Sequence, residues 1–349
     1  MKFTPDLLTF ENGSPVRTAE DWELRRKELL HLICREEFGY RPAAPKTVTG
    51  TVIGTETEAL PACAICQTVE IAFDTEKGEF RFPIRFLYPN DNQAHPLILL
   101  VSFNMPSFPA EDLIANGFAA AGFAYSDISS DDGDFTSGLA GMFTRTGAGD
   151  EWGKIAIWTY AASRALDYLL TREEVDTDNV AICGHSRLGK TALYAGAMDE
   201  RFRFTLANNS GCGGDALEQT KHEGAETVPY MNGKFSHWFC ENHKKYSEMP
   251  IWEKIDQHML VAAIAPRYVA IGSAIDDRWA DPYSQQITAT AATPAWEILG
   301  KRGYVGPAEQ INVGEQYAEG CISYHLREGG HSLSTYDWQR YIEFMKKHL

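Results

Sequence analysis

The pattern of hydrophobic residues changes near residue 95 and divides the chain into two parts. In the first part, residues 47–57, 65–74 and 79–88 are rich in Val, Ile, Thr and Phe and are separated by polar breaks, which predicts antiparallel strands with a hairpin. In the second part, residues 96–103 form a nearly continuous apolar run, typical of a parallel strand that is buried on both faces. The chain therefore begins with antiparallel strands and continues with a parallel sheet.

Helices are indicated by apolar residues at a spacing of three to four. Thr18 precedes such a pattern, so residues 17–38 are predicted to form an amphipathic helix that packs against the main body. Beyond residue 95 the two kinds of pattern alternate, which predicts strands at 118–125, 180–183, 204–208, 268–274 and 320–326 and helices at 110–116, 152–171 and 188–198. This alternation is typical of a mostly parallel sheet that is covered by helices.

The strand at 180–183 leads into a tight turn with Ser186 at its apex, and a helix follows. Gly184 lets the backbone turn sharply, because glycine has no side chain to clash. A serine raised on a strand–turn–helix unit stands clear of the sheet, where a base activates it and N–H groups at the helix start face a developing oxyanion. The turn departs from the G-x-S-x-G pattern, since Leu188 stands where the second glycine is expected and Gly189 comes one residue later. We predict that Ser186 is a nucleophile.

The position of this serine in the alternating series predicts the fold. We expect an α/β-hydrolase, a three-layer sandwich with a mostly parallel central sheet and antiparallel N-terminal strands. Residues 1–349 are predicted to form a single domain, in which residues 1–45 are a helical extension packed on the body.

A serine hydrolase of this kind needs an acid and a histidine that follow the serine in that order. His331 comes directly after the last predicted strand, and two glycines before it let the loop reach Ser186, so His331 is the candidate base. Asp276, Asp277 and Asp281 follow the strand at 268–274 and are candidates for the acid. The alternative is that these aspartates only form turns and do not contact His331.

Residues 184–190 read Gly-His-Ser-Arg-Leu-Gly-Lys, which resembles the Gly-Cys-Ser-Arg-x-Gly-Lys signature of glucuronoyl esterases and their bacterial relatives, with His185 in place of the cysteine. The resemblance covers most of residues 80–340 and includes the stretches 208–214, 237–239, 256–258, 264–267 and 277–282. It implies a serine carbohydrate esterase that cleaves esters of glucuronic acid units, such as 4-O-methyl-glucuronoyl esters of xylan, through an acyl-enzyme and without a cofactor or metal.

The resemblance also assigns roles to individual residues. Arg187 follows the nucleophile, so its N–H is a natural oxyanion donor, and the family implies added charge stabilisation from its guanidinium. Lys190, Trp238 and Glu226 look similar to residues that line the sugar pocket, although Lys190 has the alternative of a surface lysine and Glu226 that of a solvated charge. Lys190 is expected to point toward the mouth of the site, where the two cations Arg187 and Lys190 suit the anionic product.

One family position is altered, which affects the choice of acid. Asn209 stands where the fungal enzymes carry a catalytic glutamate, and an amide cannot stabilise an imidazolium by charge. The acid is therefore expected in the loop after the strand at 268–274, and Asp277 has the spacing most similar to the acid of the bacterial relatives.

Two other functions remain alternatives. In the first alternative, the same triad hydrolyses an acetylated sugar, a substrate for which Lys190 is not needed. Without a working triad, the chain is a non-catalytic sugar-binding protein on a hydrolase scaffold, and the asparagine at position 209 favours this alternative.

Composition narrows the possible partners. The 349 residues carry 48 acidic against 32 basic side chains, a net charge of −16, which argues against binding to nucleic acid or an anionic membrane and leaves a small-molecule or oligosaccharide ester. The first residues lack the apolar run of a signal peptide, which predicts a cytoplasmic protein, with a secreted protein as the alternative if a signal has been removed. Seven cysteines, an odd number, fit reduced thiols, and the pair Cys63 and Cys66 lacks the second ligand pair of a zinc site.

Overall fold

The computed structural model describes residues 3–56, 63–308 and 312–349, so Met1, Lys2 and the last residue of the predicted strand 47–57 lie outside the described part. The strands are β1 (Val48–Glu56), β2 (Ala64–Thr75), β3 (Gly78–Pro89), β4 (His95–Ser102), β5 (Ala119–Ala124), β6 (Val175–His185), β7 (Phe204–Asn208), β8 (Tyr268–Ala274), β9 (Gln316–Tyr317) and β10 (Ile322–Arg327). The helices are α1 (Ala19–Ile33), α2 (Ala110–Ala115), α3 (Gly138–Gly141), α4 (Lys154–Leu169), α5 (Arg187–Met198), α6 (Val228–Phe235), α7 (Gln257–Ala262), α8 (Pro282–Ala292), α9 (Pro294–Glu297) and α10 (Thr335–His348).

These strands form one sheet in the order β1-β2-β3-β5-β4-β6-β7-β8-β10-β9. The six strands β5, β4, β6, β7, β8 and β10 pair in parallel, whereas β1, β2, β3 and the short β9 make antiparallel pairs. The mostly parallel sheet with antiparallel N-terminal strands, as predicted, is confirmed. The carboxyl ends of the parallel strands meet at one edge, and the turn that carries Ser186 lies there.

The residues of β4 show why the central strands are apolar throughout. Leu97, Leu99 and Val101 pack on one face of the sheet in the same cluster as α4 and α5, while Ile98 and Leu100 pack on the other face with α2 and α10. All five side chains are buried, because helices cover both faces. The sheet is thus the middle layer of three.

The N-terminal segment is fixed to the helices behind the site. The side chain of the predicted cap Thr18 accepts a hydrogen bond from Asp21 N, and the Asp21 carboxylate accepts one from Thr18 N. A single π-helical turn, Cys34–Phe38, follows α1. The Arg26 guanidinium donates to Ala197 O at 2.9 Å in α5 and to Ala263 O at 2.6 Å after α7. Cationic donors at helix ends satisfy carbonyls that the helix leaves free.

We did not predict α8 or α10 from the sequence. α10 begins with a capping box between Ser334 and Asp337. The buried Asp337 carboxylate also binds His325 Nε2 at 2.9 Å and Arg327 Nε at 2.8 Å, which ties α10 to the last strand just before the His331 loop. None of the helices in the described part of the chain has the length and apolar character needed to cross a membrane.

Candidate active site

Ser186 occupies a strained turn between β6 and α5. Its backbone has φ 60° and ψ −129°, and its N–H donates to Asn208 O at 2.8 Å. A β-carbon on Gly184 would lie 2.0 Å from Leu188 O, and one on Gly189 would lie 2.5 Å from Ser210 Oγ. The glycine that comes one residue late therefore lets α5 approach the end of β7. Strain of this kind persists where the surroundings enforce it, commonly at functional sites.

His331 and Asp277 are brought together by adjacent parallel strands. Asp277 follows β8 and His331 follows β10, and these two strands pair directly. His331 Nδ1 lies 2.6 Å from Asp277 Oδ2, with the Asp277 side chain 4% exposed and the His331 side chain 41% exposed. Asp276 N donates to Gly329 O at 3.1 Å, which joins the two loops. A buried carboxylate thus orients an accessible imidazole.

The other two candidate aspartates have different surroundings. Asp281 adopts a left-handed conformation with φ 59°, caps α8 through Ser284 N at 3.2 Å and binds His222 Nδ1 at 2.8 Å. Asp276 is exposed. Of the three aspartates, Asp277 is the one that pairs with His331, and the alternative in which none contacts this histidine is wrong.

His185, which replaces the family cysteine, packs against the candidate base. Its ring centroid lies 4.4 Å from that of His331, and its Nδ1 lies 2.7 Å from Asn208 Oδ1. Burial, together with the neighbouring His331, lowers the pKa of His185 to about 4. His185 is therefore neutral at neutral pH and is held by Asn208 away from base duty.

Asn209 lies at the end of β7 with φ 46°, and its backbone N–H donates to Gly272 O at 2.8 Å. Its buried side-chain amide finds no hydrogen-bond partner among the residues that the structure describes. The position at which the fungal enzymes carry a glutamate thus holds an uncharged group.

Arg187 is the first residue of α5, so its N–H belongs to the helix start beside Ser186. Its guanidinium carbon lies 5.1 Å from the ring centroids of both Phe103 and Trp238 and 5.7 Å from that of Tyr125. Planar guanidinium groups are favoured over aromatic faces. The predicted oxyanion residue therefore has its side chain fixed between rings.

Asp131 completes this arrangement and was not singled out from the sequence. One carboxylate oxygen forms an ion pair with Arg187 Nη1, and the other accepts from Trp238 Nε1 at 2.5 Å and from His237 Nε2 at 3.0 Å. Burial lowers the pKa of His237, and Nε2 is the ring nitrogen that donates to Asp131. The loop Asp131-Asp132-Gly133-Asp134 looks like an ordinary polar turn, so its local sequence gave no signal for this role.

The three predicted sugar-pocket residues lie together. Lys190 is 2% exposed, donates to Ser210 O and pairs with Glu226 Oε2 at 3.2 Å, and its Nζ lies 5.8 Å from the Trp238 ring centroid. Glu226 Oε2 also accepts from Cys212 N at 3.1 Å. The alternatives of a surface lysine and a solvated glutamate are therefore wrong, and Lys190 does not extend freely into the mouth as we expected. The reason is that a remote loop supplies a carboxylate against which the lysine is buried.

Two exposed aromatic residues flank the acid loop. Trp279 and Tyr230 are 40% and 41% exposed, and their rings meet edge to face at 4.8 Å. Trp279 O accepts from Glu226 N at 2.9 Å, which connects this loop to the predicted sugar pocket. Trp279 belongs to a stretch that resembles the family, but we assigned it no role from the sequence.

Over residues 3–56, 63–308 and 312–349, no group of three or more His, Cys, Asp or Glu side chains has the geometry to hold a metal ion. The seven cysteines are free thiols. Ser186 and the His331–Asp277 pair lie at the same edge of the sheet.

A serine on a strained strand–turn–helix unit, at the same sheet edge as a histidine–aspartate pair in an α/β sandwich, is typical of the class of α/β-hydrolase esterases. A family model described as glucuronyl esterase, fungi, matches residues 69–300. The chain is also 32% identical to a carbohydrate esterase from an unknown prokaryotic organism, over 100% of this chain and 90% of that relative. The chain therefore belongs to the glucuronoyl esterase family.

Solved structures agree with this assignment. A glucuronoyl esterase from Solibacter usitatus superposes with a TM-score of 0.90 at 32% identity, covering 99% of this chain and 98% of the other. A structure described as a promiscuous family 15 carbohydrate esterase from a marine bacterial metagenome superposes with a TM-score of 0.87 at 31% identity, covering 100% and 98%. The α/β-hydrolase fold predicted from the sequence is confirmed.

Proposed function

We propose that this protein hydrolyses esters of glucuronic acid units, such as the 4-O-methyl-glucuronoyl esters of xylan, with Ser186, His331 and Asp277 as its catalytic triad. The observation that carries the proposal is the 2.6 Å contact between His331 Nδ1 and the buried Asp277 carboxylate, in the loops beside the Ser186 turn of a glucuronoyl esterase family member. The substrate is a small-molecule or oligosaccharide ester, and no cofactor takes part.

The residues act in two half-reactions. Ser186 Oγ attacks the ester carbonyl carbon while His331 Nε2 takes its proton, and the same proton then leaves with the alcohol, which produces an acyl-enzyme. Water attacks the acyl carbon, gives its proton to His331, and the uronic acid is released as Ser186 regains a proton. Asp277 accepts from Nδ1–H and stabilises the imidazolium, a task that the neutral Asn209 cannot perform.

Charge that develops on the carbonyl oxygen is stabilised at the start of α5. The Arg187 N–H donates to the oxyanion, and its guanidinium adds positive charge nearby. We further propose that Lys190, Trp238 and Glu226 recognise the sugar, because Lys190 lies one turn of α5 after Ser186 and contacts both of the other side chains. Hydrogen bonds made by buried polar groups discriminate strongly between substrates, since an analogue without the matching group leaves them unpaired.

The test compares kcat/KM for benzyl D-glucuronate, nitrophenyl acetate and acetylated xylan. A glucuronoyl esterase turns over the benzyl ester most efficiently, and Lys190→Ala raises KM for that ester more than for nitrophenyl acetate. Failure to hydrolyse any of the three esters would instead support the non-catalytic sugar-binding alternative.

A broader carbohydrate esterase is a second candidate. The observation in its favour is the similarity to a structure whose description calls that enzyme promiscuous. On this alternative, acetylated xylan is hydrolysed with a kcat/KM at least equal to that for benzyl D-glucuronate, and Lys190→Ala affects both substrates equally.

A further inference from the structure

The proposed reaction changes the charge of its ligand, and the following inference rests on that proposed function. The substrate is a neutral ester, whereas the released uronate is an anion at neutral pH. This anion forms at the Ser186 acyl carbon, next to Arg187. Two unpaired cations at this place would hold the product more tightly than the substrate, since opposite charges attract strongly where water is partly excluded. Whether carboxylates neutralise these cations therefore affects how fast the product leaves and hence turnover.

The positive charge of Arg187 is already neutralised by a carboxylate of the protein. Asp131 forms an ion pair with its guanidinium, and Trp238 Nε1 and His237 Nε2 donate to the other carboxylate oxygen at 2.5 Å and 3.0 Å. Donors on two different segments, Arg187 in α5 and the consecutive residues His237 and Trp238, hold the Asp131 carboxylate in place.

The positive charge of Lys190 is also neutralised by a carboxylate of the protein. Glu226 lies 3.2 Å from its Nζ and is itself fixed by Cys212 N at 3.1 Å. Arg187 and Lys190 lie within 5.1 Å and 5.8 Å of the same Trp238 ring centroid, so the two ion pairs meet at one aromatic side chain. These four charged side chains have no net charge, and the protein around them carries −16.

We infer that Asp131 is a specificity-determining residue, which makes the site favour the neutral uronate ester over the anionic uronate. Its carboxylate cancels the long-range attraction of Arg187 for an anion, while the guanidinium remains available to a charge that develops at the oxyanion during reaction. Glu226 likewise cancels the long-range attraction of Lys190 for an anion. The consequence is weak product binding, because specificity is a difference between two affinities and repulsion contributes to it.

The test uses two ligands that differ in charge and are not hydrolysed as esters. D-glucuronate carries the product carboxylate, and D-glucuronamide carries a neutral amide of nearly the same shape. Calorimetric titration at neutral pH and low salt gives both dissociation constants for the wild-type protein, Asp131→Asn and Asp132→Asn. Asp132 is the matched control, because it is the neighbouring residue and its replacement changes the net charge equally. Among the residues that the structure describes, its carboxylate accepts hydrogen bonds within its own loop, from Ser130 Oγ at 2.8 Å and Asp134 N at 2.9 Å.

We expect the wild-type protein to bind the amide at least as tightly as the acid. Asp131→Asn shifts the ratio of the two constants toward the acid by about tenfold, and added salt reduces the shift. Asp132→Asn leaves the ratio unchanged. Tighter binding of the acid by the wild-type protein would overturn the inference. If Asp131→Asn changes the dissociation constants of both ligands equally, the role of Asp131 is purely structural and the inference is wrong. If Asp132→Asn shifts the ratio of the two constants as much as Asp131→Asn does, the inference is also wrong. Absence of binding by both ligands would overturn the proposed sugar specificity itself, which separates that failure from the others.

Discussion

The two sides of Ser186 are built in opposite ways. On the acid–base side, His331 is accessible and depends on one buried carboxylate, Asp277. On the binding side, Arg187 and Lys190 are packed around Trp238 and are already paired with carboxylates from other segments. The two sides differ in accessibility because their residues have different tasks. A proton carrier must reach the substrate, whereas recognition groups act best when their positions are fixed before the ligand arrives.

The largest effect is expected where the two sides meet. Ser186→Ala should lower kcat on every ester by about 10⁴–10⁶, because the other triad members have no nucleophile to activate. The fold should persist, since Gly184 and the flanking elements set the turn and the serine side chain caps nothing. Rates on benzyl D-glucuronate together with a thermal unfolding curve check both statements. A variant that keeps a tenth of the wild-type rate would remove Ser186 from the mechanism.

Next comes the acid–base side. Asp277→Asn should lower kcat by about 10³–10⁴ with little change in KM, because this carboxylate contacts the histidine and not the sugar. Asp276→Asn and Asp281→Asn are matched controls from the same loop. We expect Asp276→Asn to remain near wild type. Asp281→Asn should lose stability, because one carboxylate oxygen accepts from Ser284 N and the other from His222 N, and an amide has only one accepting oxygen. If either control loses kcat while Asp277→Asn keeps it, the acid must be reassigned.

On the binding side, Lys190→Met should act through affinity and stability. Removing the cation leaves the Glu226 carboxylate buried and unpaired, which costs about 3–5 kcal/mol of unfolding free energy. The double variant with Glu226→Gln should recover most of this loss, and urea unfolding measures it. In the surviving folded protein, KM for benzyl D-glucuronate should rise more than KM for nitrophenyl acetate. Equal rises would mean that Lys190 is structural only.

The smallest effect concerns a buried acid in the π-helical turn that follows α1. Glu37 Oε1 accepts from Gln257 Nε2 at 3.1 Å, and burial raises the pKa of Glu37 to about 8. Because its folded-state pKa exceeds the unfolded value, Glu37 contributes stability that is fully present below the unfolded pKa and is lost as pH rises to about 8. Relative to Glu37→Gln, the wild-type protein should lose roughly 1–3 kcal/mol between about pH 5.5 and pH 8. Parallel pH dependences for the two proteins would show that Glu37 ionises normally.

Much of the acid–base side was predictable, because its signals are local. Ser186 follows a strand and a glycine, and His331 follows a strand and two glycines, so chain order and the edge of a parallel sheet bring them together. The choice of Asp277 among three aspartates required the family spacing, and the structure distinguishes it by the contact with His331.

The binding side was less predictable, because its contacts join distant segments. The burial of Lys190 depends on Glu226 from a remote loop, and Asp131 stands in a sequence that looks like any polar turn. Gly189 comes one residue late relative to the G-x-S-x-G pattern, and the reason is its close approach to Ser210 Oγ, which belongs to a different segment. By contrast, α10 had a local signal that we did not use, since Ser334 and Asp337 form a capping box just before apolar residues at helical spacing.

Labelling by a fluorophosphonate tests the central claim most directly, because the reagent reacts only with a serine that a neighbouring base activates. Intact-mass measurement after exposure should show one adduct, located on Ser186, absent from Ser186→Ala and formed far more slowly by Asp277→Asn. D-glucuronamide should slow the labelling of the wild-type protein, since the sugar site lies at the same turn. An unlabelled wild-type protein, or a label that persists in Ser186→Ala, would contradict a Ser186-based esterase.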